Sequence, residues 1–360
     1  MIKLFIPGPT YVCEEILQEM SRPQIGHRTD AFRELFGSLR KPLQKLFFTK
    51  NDVLISTSSG SGLWEASIRN CVNKKVLHAT NGFFSEKWAE LSKNSDKEAE
   101  VLKFDYGKAI DPVVVDEALS KNDFEAFCMP HCETPTGATS NLKDFSRVMK
   151  KHKDVLWFVD CVSTIGGMKV EVDKLGIDFC FTSSQKAMAM PPGLSFGSVS
   201  DRCYEKAENV SGRGYYFDIL SLKKEYDRNQ TTYTPTTAHL YALKKQLERI
   251  EIEGLENRFK RHAEMAEFTR DWAINHGFDL FTEKGFYSDT STTISNNKNL
   301  NFKIIVPKML EKNCVVDPGF VGLNEFLISK GMNTTFRIAH MGDLTLDDIK
   351  DVTSKLEGFI

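Results

Sequence analysis

Long apolar runs are missing from this chain. No stretch of its 360 residues approaches the roughly 20 consecutive apolar positions that a helix needs to cross a bilayer, so no membrane partner is expected. The opening segment Met1-Ile2-Lys3-Leu4-Phe5-Ile6 lacks the longer apolar core and cleavage site of a secretory signal. It reads instead as a short strand running into the Pro7-Gly8-Pro9 turn. Charge of one sign is missing too. Lys and Arg total 47 against 49 Asp and Glu, a formal net charge of −2, which leaves no electrostatic footprint for nucleic acid. The eight cysteines include no Cys-x-x-Cys pair. Cys128 and Cys132 flank His131, but no second ligand pair follows at zinc-site spacing, so no metal is expected. Buried, reduced thiols in a cytoplasmic protein are the expectation. The Asn-x-Ser/Thr sequons at Asn209, Asn229 and Asn333 are then chance matches. There is no internal repeat and no low-complexity segment.

The composition, 41% hydrophobic and 27% charged, is that of an ordinary globular protein long enough for a large domain and a smaller one. From about residue 50 to 200, short apolar strands alternate with helical patterns. The strands fall at Val53–Ser56, Lys75–Ala79, Val101–Phe104, Ala126–Pro130, Val155–Asp160, Ile177–Thr182 and Leu194–Val199. Helices are expected from about Gly62 to Val72 and around Phe84–Leu91. Apolar strands separated by helices predict an α/β fold with a mostly parallel sheet, which binds ligands at the carboxyl ends of its strands. Residues 201–236, rich in Tyr, Arg and Asn, read as irregular. A long amphipathic pattern, Ala238 to Ile274, breaks near Gly254. The expected division is an arm over 1–15, a large domain over 16–250 and a small α+β domain over 251–360.

The strand ends carry the chemistry. Lys186 leaves the buried run Ile177–Thr182 and sits in Ser183-Ser184-Gln185-Lys186 before Pro191-Pro192-Gly193, which cannot continue a helix. An ammonium there needs a partner or a task. A covalent task is a Schiff base with pyridoxal phosphate (PLP); a solvated surface charge is the plainer alternative. After Val53–Ser56, Thr57-Ser58-Ser59-Gly60-Ser61-Gly62 opens into a helix. Its small residues, hydroxyls and free N–H groups suit a phosphate, although Ser/Gly turns also serve as simple caps. The turn is neither Gly-x-Gly-x-x-Gly nor a P-loop. Asp160 ends Val155–Val159 and could pair with a pyridinium nitrogen or cap a helix beginning near Ser163. Phe84 could stack on a ring or belong to the core. Glu133-Thr134-Pro135-Thr136-Gly137 could turn a hydroxyl toward a phenolic oxygen. Five such features serving one ligand point to PLP.

With these motifs in place, the chain resembles the class V aminotransferases. The resemblance is carried by Ser59-Gly60-Ser61 with Glu65-Ala66, the Glu133–Gly137 turn, Val159–Gly167, Ser184-Gln185-Lys186 with Pro191–Gly193, and Phe336-Arg337-Ile338. The alanine/serine–glyoxylate branch is the nearest, and the resemblance runs from Pro7-Gly8-Pro9-Thr10 to Arg337. It implies fold type I, PLP and a homodimer with active sites at the subunit interface. It implies Lys186 as the internal aldimine and proton shuttle, Asp160 on the pyridine nitrogen, Val162 and Phe84 on the ring faces, and Thr134 on the phenolic oxygen. Ser59, Gly60, Ser61 and Gln185 would hold the phosphate, with Thr234 reaching it from the other subunit. Arg337 would bind the substrate carboxylate. Phe84 stands where relatives often have Trp, Ser61 where they often have His, and Thr231 where some have Tyr.

Transamination between a small amino acid (alanine or serine) and a 2-oxo acid (glyoxylate or pyruvate), in ping-pong fashion, is the expected activity. A PLP lyase or cysteine desulfurase shares the fold, but such chains usually place His before the lysine, where this one has Gln185. A non-catalytic module would not need Lys186, Asp160 and Arg337 together. His27-Arg28, in a turn near the site entrance in relatives, could add a second cation for aspartate, an aminophosphonate or an aminosulfonate, or form an ordinary surface contact.

Overall fold

The computed structural model describes residues 2–360. Thirteen strands are named in chain order: β1 Lys3–Phe5, β2 Asp52–Ser56, β3 Lys75–Thr80, β4 Glu98–Lys103, β5 Ala126–Pro130, β6 Cys132–Glu133, β7 Ala138–Thr139, β8 Leu156–Asp160, β9 Phe179–Ser183, β10 Ser195–Val199, β11 Ser291–Ser295, β12 Cys314–Val316 and β13 Thr335–Ala339. Seven of them form one sheet in the order β2-β10-β9-β8-β5-β3-β4.

All neighbours in this sheet are parallel except β10, which runs antiparallel to both β9 and β2. The physical reason lies in the connections. Each parallel pair is joined through a crossover, whereas β9 reaches β10 through the short loop 184–194, with no room for one. That loop carries Lys186. Every residue of β5, β8, β9 and β10 is buried, so these strands are covered on both faces, as their continuous apolar sequences require.

The helices expected after β2 and β3 span Gly60–Cys71 and Phe83–Asn94, and the break at Gly254 separates helices Thr237–Glu253 and Leu255–Asn275. Residues 201–236 are not irregular throughout. They hold helices Asp201–Glu208 and Ile219–Tyr226, started by Ser200 and Asp218 side chains that accept from Cys203 N and Leu220 N. Two helices of eight residues each are too short for an apolar period to stand out in the sequence. The helix Asp30–Phe47 was also not anticipated; it contains Pro42 and is capped by Thr29.

Buried apolar side chains form two main clusters. One runs from Ile16 to Ile250 around the large sheet. The second gathers Phe5 with residues from Met265 to Leu356 around β11, β12 and β13. Phe5 belongs to the second because β1 pairs in parallel with β12, Phe5 opposite Val316. The arm then turns back over the large sheet: Thr10 N donates to Gln185 O at 3.0 Å and Thr10 Oγ1 to Lys186 O at 2.9 Å.

Candidate active site

The carboxyl ends of β2, β5, β8 and β9 surround a cavity of about 310 Å³, within the range of small-molecule sites. Ser59, Gly60, Ser61, Phe84, Thr134, Asp160, Val162, Gln185 and Lys186 all line it. Lys186 is its only cationic side chain. Arg337 and Thr234 do not line it. Arg337 lies behind Thr134, and Thr234 lies in a separate cleft with Ile55, Thr57, Tyr216 and Tyr233.

Lys186 is half-buried, and its Nζ donates to Pro7 O of the arm at 2.5 Å. Burial lowers its pKa to about 8, with Arg337 adding to the effect and Cys132, Asp160 and Asp317 opposing it. The neutral, nucleophilic amine is therefore easier to reach near neutral pH than in an exposed lysine.

Asp160 ends β8 and is 8% exposed. Its Oδ2 accepts from Trp64 Nε1 at 2.7 Å and its Oδ1 from Val162 N at 2.8 Å. No helix starts near Ser163, so the carboxylate caps a turn rather than a helix. Burial raises its pKa to about 6 despite those two bonds and the nearby Lys186. Its hydrogen-bonding partners are neutral, and a cationic N–H in the cavity would restore the ionised form. That is the requirement a pyridinium nitrogen meets.

The phosphate end fits as well. The helix Gly60–Cys71 begins without a side-chain cap; Gly62 N turns back to Ser59 O at 3.0 Å, and the N–H groups of Gly60 and Ser61 are left for an anion. Gly60 leaves the necessary space: a Cβ there would lie 2.6 Å from Val162 Cγ2. Ser183 Oγ, 3.8 Å from that same point, and Gln185 Oε1 are both buried without a partner. Uncapped donors and unpaired buried polar atoms around one cradle match the needs of PLP phosphate.

Phe84 is aimed from the other side of the cavity. Its helix, Phe83–Asn94, has Gly82 at the N-cap and so no cap of its own. Glu133, fully buried, takes that role from β6. It accepts from Phe84 N and Ser85 N at 3.0 Å each and from Ser85 Oγ at 2.8 Å. Burial pushes the Glu133 pKa up to about 7 against these donors. Beside it, Thr134 Oγ1 bonds Ser163 Oγ, and Thr134 O accepts from Arg337 Nη1 at 3.1 Å. Arg337 Nη2 also pairs with Asp317 Oδ2 at 2.8 Å, while its buried Nε has no partner.

Sequence reasoning missed Trp64, the Pro7 carbonyl, Ser163, Asp317 and the capping role of Glu133. Trp64 follows Gly60 by one helical turn, a spacing that could have placed it on the cradle's face. The other contacts leave no local signal. Arg28 bonds Gln230 Oε1 at 3.0 Å and Thr231 O at 2.8 Å within the chain. Seven of the eight cysteines are buried and all are free, and the described residues contain no group of three or more His, Cys, Asp or Glu placed to hold a metal. No helix among them is long and apolar enough to cross a membrane.

The sequence profile of the family Aminotransferase class-V matches residues 7–276. The chain is 32% identical over 351 residues to an L-aspartate–glyoxylate aminotransferase of Paracoccus denitrificans, covering 95% of this chain and 87% of that one. It is 30% identical over 357 residues to a serine–glyoxylate aminotransferase of Methylorubrum extorquens, covering 95% and 86%. Among solved structures, an alanine–glyoxylate aminotransferase from Nostoc sp. superposes with a TM-score of 0.91 at 25% identity, covering 99% of this chain and 95% of that one. With the profile spanning most of its length, the chain belongs to the class-V aminotransferases, PLP-dependent transaminases of fold type I.

Proposed function

We propose that this enzyme moves the amino group of alanine or serine to glyoxylate or pyruvate in two half-reactions of a ping-pong cycle. The observation that carries the reading is the cavity itself: Lys186 and the buried Asp160 line the same space, and Lys186 is the only cation lining it. PLP, when bound, supplies the electron sink that lets the Cα–H bond of an amino acid break. Asp160 holds the proton on the pyridine nitrogen, and its Trp64 and Val162 donors keep the carboxylate oriented. Lys186 Nζ carries the proton away from Cα, a task its lowered pKa suits. Phe84 and Val162 enclose the ring, Thr134 contacts the phenolic oxygen, and Ser59, Gly60, Ser61 and Gln185 hold the phosphate. Arg337 takes the substrate carboxylate through its remaining N–H groups.

The three named relatives share glyoxylate in their names and differ in donor, which supports the acceptor more than the donor. A small neutral donor is favoured because Arg28, the second cation that aspartate, a phosphonate or a sulfonate would need, is engaged by the 230–232 segment.

We further propose a cytoplasmic homodimer of two-domain subunits, with the division near residue 250 falling between the two apolar clusters. Thr234 lies outside the cavity of its own chain, next to Tyr215 and Tyr216, which are 82% and 40% exposed. A partner subunit covering those rings would bring Thr234 to its phosphate.

The test is a half-reaction screen. Each candidate donor is mixed with the PLP-loaded enzyme, and loss of the visible band of lysine-bound cofactor is followed. Conversion by alanine or serine, reversed by glyoxylate, supports the reading. Release of ammonia or sulfide without conversion would replace it with a lyase.

A further inference from the structure

Asp317 belongs to no motif that led to the active site, yet it holds the residue on which substrate binding depends. Its Oδ2 pairs with Arg337 Nη2 at 2.8 Å, and the two side chains are 9% and 8% exposed. The two backbones also bridge, with Arg337 N donating to Asp317 O at 3.1 Å. The carboxylate is fixed rather than free to swing. Its Oδ1 accepts from Gly319 N at 2.7 Å. Gly319 has φ +95°, and a Cβ there would lie 2.1 Å from Thr335 O, so the Asp317-Pro318-Gly319 turn has little freedom. Asn324 locks it further, donating to Pro318 O at 3.1 Å and Thr335 O at 3.0 Å.

The consequence is electrostatic. A lone buried guanidinium would attract any anion strongly, but this one already carries a buried counter-charge. A single substrate carboxylate can still use the N–H groups left over, among them the partnerless Nε. A second carboxylate would face Asp317 without a cation of its own, since Lys186 is the one cation lining the cavity and is committed to the cofactor. An aromatic ring also lies near the guanidinium: Phe320 is 5.9 Å from it and 5.8 Å from the Phe84 ring. Such a ring offers a second charge no solvation.

We propose that Asp317 is a specificity-determining residue: by half-neutralising Arg337 it admits amino acids with one carboxylate and rejects those with a second anionic group. The proposal rests on the reading of Arg337 as the carboxylate anchor of an aminotransferase. Two like charges about 6 Å apart at an effective dielectric constant near 20 correspond to roughly a hundredfold in affinity, so a preference of tenfold or more is expected to depend on this residue.

The experiment compares PLP-loaded wild type with Asp317→Asn and Asp317→Ser. Calorimetry measures the Kd of two unreactive ligands, propanoate and succinate, and steady-state assays with glyoxylate measure kcat/KM for alanine and aspartate. Cofactor absorbance and Tm confirm that each variant is folded and loaded. The expected result is that succinate binding and aspartate turnover improve in absolute terms, and that both mono-to-dicarboxylate ratios fall at least tenfold. A variant that loses alanine and aspartate turnover equally, with an unchanged Kd ratio, overturns the proposal, because that is the signature of a purely structural pair. A wild type that prefers succinate overturns it directly. Failure of any amino acid to convert wild-type enzyme would sink the aminotransferase substrates proposed above, while the two Kd values would still judge Asp317. If neither variant folds, Arg337→Lys with the same ligands decides: a Kd ratio shifted toward succinate overturns the proposal, and an unchanged or larger preference for propanoate upholds it.

Discussion

Thr134 faces two ways: it lines the cavity of the candidate site with its hydroxyl bonded to Ser163 Oγ, and its carbonyl accepts from Arg337 Nη1 at 3.1 Å. One residue thereby ties the groups proposed to touch the phenolic oxygen and the substrate carboxylate. The orientation of the guanidinium is set by that carbonyl and by Asp317, and a planar fork is needed to satisfy both.

Replacing the fork by a point charge tests this. Arg337→Lys should raise KM for the amino donor by about tenfold to a hundredfold, the worth of one charged hydrogen bond or two. The cofactor band should stay unchanged. Loss of cofactor in this variant would show that Arg337 serves PLP and not the substrate.

Lys186→Ala should abolish the visible band of covalently held cofactor and remove the borohydride-fixable adduct. In the wild-type apoprotein, the rate of PLP uptake should rise with pH through a transition near 8, because only the neutral amine attacks and burial holds its pKa at about 8. A transition above pH 10, where an exposed lysine titrates, would contradict the burial argument.

Asp160→Asn should lower kcat by about a hundredfold or more, since it removes the charge proposed to stabilise the protonated ring. The apoprotein gives a second readout. The folded carboxyl has its pKa raised from 3.8 to about 6, so in this window the unfolded state ionises while the folded state holds its proton. Wild-type apoprotein therefore loses stability from this group as pH rises from about 4 to 6. The asparagine variant lacks that loss, so its Tm relative to wild type should increase across this window and level off above it. A difference that does not change with pH would mean that Asp160 ionises freely.

Gly60→Ala should weaken PLP binding at least tenfold, because its Cβ would sit 2.6 Å from Val162 Cγ2 and force either the cradle or the ring-facing valine to move. The Lys186 adduct should still form at high PLP concentration. Unchanged affinity would place the phosphate elsewhere.

Much of this site was legible because its parts sit at strand ends. Lys186 after β9, Asp160 after β8 and Gly60 after β2 each follow a run of residues whose apolar character marks the strand, and the parallel sheet gathers such ends at one edge. Other parts act across the fold. Trp64 bonds Asp160 over 96 residues, and Pro7 O meets Lys186 over 179. Nothing near Asp317 in sequence announces a partner in Arg337. Two short helices in 201–236 escaped for a different reason: their signal is a capping side chain rather than an apolar period.

The arm has a mechanical consequence. Its first strand is laid on β12, and two residues later its backbone is bonded to the loop that carries Lys186. Asp317 follows directly on β12. The arm thus joins β12 to the amine, so that a shift of the 314–317 segment would be transmitted to Lys186 Nζ. Amide exchange in the 184–190 loop would then report a displacement that begins at β12.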